Sequence, residues 1–205
     1  MEILNQRYAG FKDMNDPHKK PKGAGKSSFE LIDPKILTDI LQVKPGSVVL
    51  DLACGKGAYS LFLSEMVGAD GLVYAVDLWQ EGLQQLEQEI ENRNITNIMT
   101  LMDDATKKIE IDEYHVDLCL MATVLHDFEE AGKTDAVLKQ VKTLLKPNGR
   151  LAIIEFKKIE GPPGPPVQIR LDEDDVEKIV AGDNFKKLKT VDIGVYNYLM
   201  VFRSL

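Results

Sequence analysis

The stretch Val48–Ser60, VVLDLACGKGAYS, decides how this chain folds. An apolar run ends on Asp51, passes through Gly55 and Gly57, and continues into a segment with helical spacing. A buried strand, a glycine loop and a helix in this order are typical of the nucleotide-binding corner of an α/β sheet. Glycine lets the backbone adopt conformations that other residues disfavour and lets a ligand come close. The stretch therefore predicts a nucleotide site at the end of the first strand.

Strand-like and helix-like segments alternate after this point. Strands alternating with helices predict a parallel sheet with helices on both faces, and two adjoining strand-like segments at the end predict an antiparallel hairpin. The helix that ends near Pro147 and Gly149 has apolar residues at helical spacing. The later strand-like segments are GLVYAVDL (71–78), NIMTLM (97–102), YHVDLCLMATVL (114–125), RLAIIEF (150–156), FKKLKTVDIG (185–194) and VYNYLMVFR (195–203).

Composition narrows the class of protein. The chain has 205 residues, of which 44% are hydrophobic and 28% are charged, as in an ordinary globular domain. Its formal net charge of −8 argues against a nucleic-acid partner or an anionic membrane surface. No apolar run approaches the ~18 residues that a membrane span needs. The start of the chain lacks the basic and apolar regions of a secretory signal.

Cys54 and Cys119 are the only cysteines. Two distant cysteines make neither a zinc site nor a disulfide framework, so we expect no metal and a reducing, cytoplasmic location. Residues 1–32 are polar and irregular and form an N-terminal segment, whereas 33–205 form the α/β domain. A homodimer is compatible with this composition, and the sequence does not decide it.

Three kinds of nucleotide loop compete for the glycine-rich sequences. GAGKSS (23–28) looks like a P-loop, but that pattern needs a glycine where Lys20 stands and a strand before it. A dinucleotide fingerprint needs a third glycine where Ser60 stands. Asp77 lies about 20 residues after the second glycine, where an acidic residue of the dinucleotide fingerprint binds ribose hydroxyls. An acidic residue at this position would equally suit a third kind of site, one for S-adenosylmethionine.

The third interpretation rests on five motifs that occur in order between residues 34 and 160. Together they resemble the class I S-adenosylmethionine-dependent methyltransferases, and the terminal hairpin is also typical of that family. The resemblance implies a Rossmann-like, doubly wound sheet of seven strands in the order 3-2-1-4-5-7-6. The motifs are VLDLACGKG (49–57), VYAVDL (73–78), LMDDATK (101–107), VDLCLMATVLHDF (116–128) and LLKPNGRLAIIEF (144–156).

Two further segments resemble one branch of the family. VLHDF (124–128) and GPPGPP (161–166) look most like the ubiquinone/menaquinone-biosynthesis and arsenite methyltransferases. The arsenite enzymes use several substrate-binding cysteines, and this chain has too few. The resemblance therefore does not carry arsenic chemistry with it.

The resemblance also implies a set of cofactor contacts at the strand ends. Asp51 would accept hydrogen bonds at the amino-acid end of the cofactor, with a helix-capping aspartate as the structural alternative. Asp77 would take the ribose hydroxyls, with an N-cap as the alternative. Glycine-loop residues would approach the ligand through their backbone. The expected contacts are Asp51, Ala53, Gly55, Gly57, Asp77, Leu78, Trp79, Asp104, Ala105 and Met121.

Some of these contacts have rivals within the sequence. Leu78 or Trp79 would cover one face of the adenine, and Trp79 could equally be a packing residue. Asp104, with the backbone of Ala105, would read the adenine edge, with Asp103 as its rival. At the position of Met121 the family uses a backbone carbonyl to bind the cofactor's ammonium group, so the type of side chain there does not indicate this contact.

The acceptor side is less well defined by the sequence. His126 is the candidate general base, with a satisfied structural histidine as the alternative. The candidate acceptor-binding residues are Tyr8, His126 and Arg170. Tyr8 lies in the N-terminal segment, which would fold over the cofactor and form one wall of the acceptor pocket, and Arg170 follows the proline loop and would bind an anionic acceptor. The expected activity is methyl transfer to a small molecule by in-line displacement, giving S-adenosylhomocysteine. The alternatives are a non-catalytic S-adenosylmethionine-binding protein and a nucleotide-dependent oxidoreductase.

Overall fold

The computed structural model describes residues 25–205. The expectations for Tyr8 and for the rest of the first 24 residues lie outside this range. The strands are β1 (Val48–Leu52), β2 (Leu72–Asp77), β3 (Ile98–Met102), β4 (Val116–Ala122), β5 (Leu145–Phe156), β6 (Phe185–Asp192) and β7 (Asn197–Ser204). The helices are α1 (Pro34–Leu41), α2 (Ala58–Val67), α3 (Gln80–Asn92), α4 (Leu125–Glu130), α5 (Thr134–Leu144) and α6 (Glu173–Ala181), with 3-10 turns at Phe29–Leu31 and Val167–Ile169.

The seven strands form one sheet in the order β3-β2-β1-β4-β5-β7-β6. Strands β1 to β5 pair in parallel, and β7 runs antiparallel to both β5 and β6. This confirms the predicted fold class, strand order and terminal hairpin. The strand order reverses direction between β1 and β4, and ligands bind outside the carboxyl ends of the strands at such a point.

Both faces of the sheet are buried, as expected for a parallel sheet covered by helices. On β1, Leu50 and Leu52 belong to a layer with α5 and α6, whereas Val49 belongs to a layer with α1 and α2. Asp51 therefore stands in a strand with no solvent-facing side, and only 1% of its surface is exposed. Within residues 25–205 no helix is long and apolar enough to cross a membrane.

Two boundaries differ from the sequence-based expectation. Strand β5 begins at Leu145, directly after α5, and includes Pro147 and Gly149, which we had expected to lie between helix and strand. Its register against β4 shifts between Val116 and Leu118, so the extra residues form an irregular extension. The short helix α4 begins at Leu125, after a turn at Thr123 and Val124, and had no separate periodic signal. These differences leave the carboxyl ends of the strands where the motifs place them.

Candidate active site

A cleft opens at the carboxyl edge of the sheet, beyond the ends of the neighbouring strands β1 and β4. Its walls come from three parts of the chain: the glycine loop after β1, the end of β4, and the segment that precedes α1. Asp51 is the charged group at the end of the buried strand. The lining residues are Gly25, Lys26, Ser27, Ser28, Asp51, Ala53, Cys54, Gly55, Lys56, Ala58, Tyr59, Ala122 and Thr123.

The backbone turns sharply at both strand ends that border this cleft. Ala53 and Thr123 have φ angles of +61° and +53°, in the left-handed region that residues other than glycine rarely adopt. Such conformations cost roughly 1–3 kcal/mol each and cluster at ligand sites. The two turns follow adjacent strands, and both Ala53 and Thr123 line the cleft.

The two glycines of the first motif have different tasks. A Cβ atom added at Gly55 would meet nothing within 4 Å, so this backbone is open to a ligand. At Gly57 an added Cβ would lie 2.4 Å from the Leu86 side chain of α3. Gly57 is therefore required for packing between the loop and α3, and Gly55 is the glycine that allows close approach of a ligand.

The Asp51 carboxylate is held by the first turn of α2. The Ser60 hydroxyl donates a hydrogen bond of 2.5 Å to Asp51 Oδ2. Burial disfavours the charged carboxylate and raises the pKa of Asp51 to about 7, although the bonds from Ser60 oppose this shift. Burial also raises the pKa of the neighbouring Cys54 thiol, which therefore stays protonated and unreactive near neutral pH. A cationic ligand group would stabilise the charged form of Asp51.

Asp77 holds the glycine loop and the start of α3 together at the end of β2. Its Oδ2 accepts a 2.7 Å hydrogen bond from the Gly55 N–H, and its Oδ1 accepts one of 2.7 Å from the Trp79 N–H. A carboxylate oxygen can accept more than one hydrogen bond, so both oxygens keep capacity for ribose hydroxyls. The N-cap alternative is wrong, because Trp79 is the N-cap residue of α3 and Asp77 precedes it by two positions. The ribose role stays a prediction.

Leu78 and Trp79 occupy different environments. Half of the Leu78 surface is exposed, at 50%, whereas Trp79 is 6% exposed. The Trp79 ring lies against Gly82, where an added Cβ would be 2.4 Å from its Cε3 atom. This arrangement favours Leu78 as the residue that covers an adenine face and Trp79 as its packed support.

Asp104 and Asp103 also differ. The Asp104 Oδ1 accepts hydrogen bonds from the backbone and the hydroxyl of Thr106, at 3.0 and 2.7 Å. Burial alone would raise the pKa of Asp104, but these bonds outweigh it and lower the pKa. Burial raises the pKa of Asp103. Asp104 is therefore the better-prepared charged acceptor, and the neighbouring Ala105 is buried beside it.

Met121 lies near the end of β4, between Leu52 and Ile153 in the register, and its side chain is fully buried. Only its backbone can therefore face a ligand. The following turn is fixed by a 2.7 Å hydrogen bond from the Thr123 N–H to the Ile154 carbonyl. The structure thus places Asp51, Gly55, Asp77 and Met121 at the ends of neighbouring strands, as the motifs predict.

His126 is buried on α4 and pairs with Glu155 on β5. Its Nδ1 lies 2.8 Å from Glu155 Oε2, and its backbone N–H donates to Oε1 of the same carboxylate at 3.1 Å. Burial lowers the pKa of His126, but the bond to Glu155 and the nearby charges of Asp127 and Glu130 outweigh it and raise the pKa. His126 is not among the residues that line the cleft, and the geometry gives it a fixed orientation beside β4.

Arg170 does not lie in the cleft either. Only 3% of it is exposed, and its guanidinium group donates five hydrogen bonds to backbone carbonyls of the loop after β5. These bonds use all five N–H groups of an arginine. The structure therefore favours a role in holding the loop over the expected contact with an anionic acceptor.

Several residues that shape this site had no predicted role. Ser60 stands where a dinucleotide fingerprint has its third glycine, and this was its only significance in the sequence. In the structure its hydroxyl donates the hydrogen bond to Asp51. Glu155 looks like an ordinary strand residue in the sequence. A charged residue inside an apolar run nevertheless indicates that its side chain is buried and paired with a partner. Ser28 and Tyr59 are joined by a 2.8 Å contact between their hydroxyl oxygens at the cleft wall, across 31 residues of sequence.

Comparison with known proteins agrees with this geometry. A family model described as a methyltransferase domain matches residues 43–192, which is more than half of the chain. The chain therefore belongs to this methyltransferase family, and its solved relatives identify the cofactor of the family as S-adenosylmethionine. One is an S-adenosylmethionine-dependent methyltransferase from Aquifex aeolicus, which is 30% identical with a TM-score of 0.80, over 94% of this chain and 100% of that chain.

Two further relatives support the same family. A putative type 11 methyltransferase from Sulfolobus solfataricus is 29% identical with a TM-score of 0.70, over 85% of this chain and 94% of that chain. The demethylmenaquinone methyltransferase of Lactobacillus johnsonii is 29% identical over 159 residues. That match includes 78% of this chain and 61% of the relative, so the chain spans less than two thirds of that protein's length.

The ribose role of Asp77 has a direct test. We expect Asp77→Ala to weaken S-adenosylhomocysteine binding by about 1.5–3 kcal/mol, the usual worth of hydrogen bonds to a charged group. Because Asp77 also holds two backbone N–H groups, calorimetry should compare this ligand with its 2′-deoxy analogue. The affinity lost through the substitution and the affinity lost through the missing 2′-hydroxyl should not add, since each change removes the same hydrogen bond. The exposed Asp70→Ala is the control, and fully additive losses would refute the ribose contact.

The raised pKa of Asp51 predicts pH-dependent binding of the cofactor. The folded protein binds a proton at Asp51 more tightly than the unfolded chain does, so this group lowers stability as pH rises from about 4 to about 7. A ligand ammonium group prefers the charged form, so S-adenosylhomocysteine affinity should rise several-fold between about pH 6 and pH 7.5. Calorimetry should show this rise in the protein and in Asp39→Asn, but not in Asp51→Asn. An equal rise in Asp51→Asn would contradict the assignment.

Proposed function

We propose that this protein transfers a methyl group from S-adenosylmethionine to a small-molecule acceptor by in-line displacement. The observation that supports this most strongly is the buried Asp51 carboxylate on the cleft wall, beside a glycine backbone open to a ligand. The cofactor carries a sulfonium and an ammonium group, and both are cations. A phosphate-binding loop would instead direct backbone N–H groups at an anion, and the buried Asp51 carboxylate on this cleft wall would repel one.

Different residues at the strand ends would bind different parts of the cofactor. Asp51 would accept from the ammonium group, together with the backbone carbonyl of Met121 near the end of β4. Asp77 would accept from the ribose hydroxyls, while Leu78, supported by Trp79, would cover one adenine face. The remaining contacts are those of the glycine-loop backbone at Ala53, Gly55 and Gly57, and those of Asp104 and Ala105 at the adenine edge.

The reaction requires alignment more than covalent chemistry. Bound S-adenosylmethionine would supply an activated methyl group, and the protein would have to hold the acceptor's nucleophilic atom about 3 Å from the methyl carbon. The new bond to that atom would then replace the carbon–sulfur bond, with the sulfur as a neutral thioether. A proton is lost only if the acceptor atom carries one. His126 stays our candidate to receive it, with Glu155 fixing the orientation of its ring. The raised pKa of His126 suits the imidazolium that this step would form.

We infer that the acceptor is a metabolite with an oxygen, carbon, sulfur or nitrogen nucleophile. The net charge of −8 disfavours DNA and RNA as acceptors. The Lactobacillus johnsonii relative is a demethylmenaquinone methyltransferase, so quinols are the first compounds to try. The cytoplasmic location and the homodimer stay predictions. The two free cysteines, Cys54 and Cys119, are consistent with a cytoplasmic location.

We also infer that residues 1–32 form a lid over the donor site. In the described part of this segment, Gly25 to Ser28 line the cleft. The Ser28 hydroxyl oxygen lies 2.8 Å from Tyr59 Oη and 3.4 Å from Thr123 Oγ1, so it links α2 to the end of β4. The Phe29 ring packs edge-on against the Tyr59 ring at 5.1 Å. A cover of this kind would keep water from the methyl carbon.

A turnover screen tests the proposed activity. The protein is incubated with S-adenosylmethionine carrying a labelled methyl group and with a metabolite library that includes 1,4-naphthalenediol. We expect label in one acceptor together with one equivalent of S-adenosylhomocysteine. Asp51→Asn should reduce turnover strongly, and Asp39→Asn should not. Tight binding of S-adenosylmethionine with no acceptor methylated would favour the non-catalytic alternative.

The lid is tested by a pair of matched variants. Ser28→Ala removes the contacts to Tyr59 and Thr123, so we expect S-adenosylhomocysteine affinity to fall about five- to tenfold, the equivalent of one lost hydrogen bond. The exposed Thr38→Ala, on α1 and away from the cleft, should bind normally. Hydrogen exchange across residues 25–32 should also slow when the ligand is added. Equal affinities for the two variants, with unchanged exchange, would show that the segment is not a lid.

A further inference from the structure

The loop that follows β5 is folded around one buried guanidinium group. Arg170 is 3% exposed, and it lies at the end of the segment whose carbonyls it binds. The carbonyls of alternate residues turn inward to meet its N–H groups, at distances from 2.7 to 3.1 Å. They belong to Lys157, Ile159, Gly161, Pro163 and Pro165.

This arrangement depends on an arginine. The five N–H donors of a guanidinium group form a rigid planar fork, and here each has a carbonyl acceptor. A lysine has three donors and cannot reproduce the pattern. A buried cation is costly unless it is fully hydrogen-bonded, so the loop and the arginine are stable only in each other's presence. Residues 157–166, here named the arginine loop, therefore have one strongly preferred shape.

An aromatic ring forms the base of the arginine loop. The Arg170 guanidinium carbon lies 5.6 Å from the centre of the Phe156 ring, within range of a cation–π interaction. Gly164, with a φ of +99°, lies over the same ring, where an added Cβ would be 2.8 Å from Phe156 Cδ1. Phe156 is the last residue of β5, so the ring fixes the loop to the carboxyl edge of the sheet.

The arginine loop lies on the acceptor side of the proposed site. The Phe156 N–H donates to the Glu155 carboxylate, which also binds His126 on α4. The 3-10 turn Val167–Ile169, which connects the loop to Arg170, packs against α4. In the strand order β5 lies beyond β4, whereas Asp77 lies on β2 on the other side of β1. The loop therefore adjoins the end of the site opposite the proposed ribose contact.

We propose that Arg170 is a positioning residue that holds the arginine loop as a preformed wall of the acceptor pocket. The proposal rests on the proposed methyltransferase function, because it assigns the loop to the acceptor of that reaction. Since the guanidinium group is directed inward, the loop presents Ile159, which is 40% exposed, the exposed Pro162 and Pro166, and the exposed acidic residue Glu160 to its surroundings. Such a wall suits an acceptor with an apolar body, in place of the anionic acceptor that an outward-facing Arg170 would bind.

The test compares Arg170→Met and Arg170→Lys with Arg150→Met. Arg150 is a partly buried arginine at the amino edge of the sheet, where it donates to the Gln42 carbonyl at 3.3 Å. Hydrogen exchange of the arginine-loop amides should quicken in both Arg170 variants and stay unchanged in Arg150→Met. Calorimetric S-adenosylhomocysteine affinity should stay within about twofold in every variant, since the donor contacts lie elsewhere. Unchanged exchange in Arg170→Met would overturn the positioning role.

Kinetics then test the assignment to the acceptor pocket. With the acceptor found by the turnover screen, we expect the acceptor KM of Arg170→Lys to rise about tenfold or more, while the KM for S-adenosylmethionine is unchanged. A purely structural role would lower the active fraction, measured as S-adenosylhomocysteine stoichiometry, and leave the acceptor KM unchanged, which would overturn the assignment. If the wild-type protein methylates nothing, the proposed function fails, and the exchange experiment still decides whether Arg170 positions the loop.

Discussion

A single buried carboxylate, that of Asp51, constrains the site. It lies at the carboxyl end of a strand with apolar side chains on both faces and is 1% exposed. Burial raises its pKa to about 7 even with a hydrogen bond from Ser60, so the site without ligand holds a charge that it stabilises poorly. A cation in the adjoining cleft is the natural complement of such a group. The cleft, the glycine loop and the first turn of α2 are all arranged around this position.

The surrounding backbone shows how the fold makes room for a ligand at that carboxylate. Gly57 keeps the loop close to α3, and Gly55 leaves an open surface. Asp77 connects this loop to the next strand through two backbone hydrogen bonds. The loop is therefore held from both sides before a ligand arrives, and preorganisation of this kind reduces the conformational entropy lost on binding. On the acceptor side the loop after β5 is instead held by Arg170, which donates hydrogen bonds to its backbone carbonyls.

The sequence predicted the elements whose signals are local. Strand and helix periodicity fixed the seven strands, and the motifs at the ends of β1, β2 and β4 placed Asp51, Asp77 and Met121 on neighbouring strands. What it missed depends on contacts between distant residues. Glu155 binds a histidine 29 positions away, and no periodic pattern encodes that pairing. Arg170 was expected to face an anion because its charge is visible in the sequence, whereas the carbonyls that satisfy it come from backbone atoms of an irregular loop.

The measurement that tests the account most directly is a crystal structure of the protein with S-adenosylhomocysteine. We predict the ligand's ammonium group within hydrogen-bond distance of the Asp51 carboxylate, its ribose hydroxyls on Asp77, and its sulfur directed toward the space between the end of β4 and the arginine loop. A ligand bound away from the carboxyl edge of β1, or one whose ammonium group is turned away from Asp51, would contradict the central claim that this buried carboxylate organises the site.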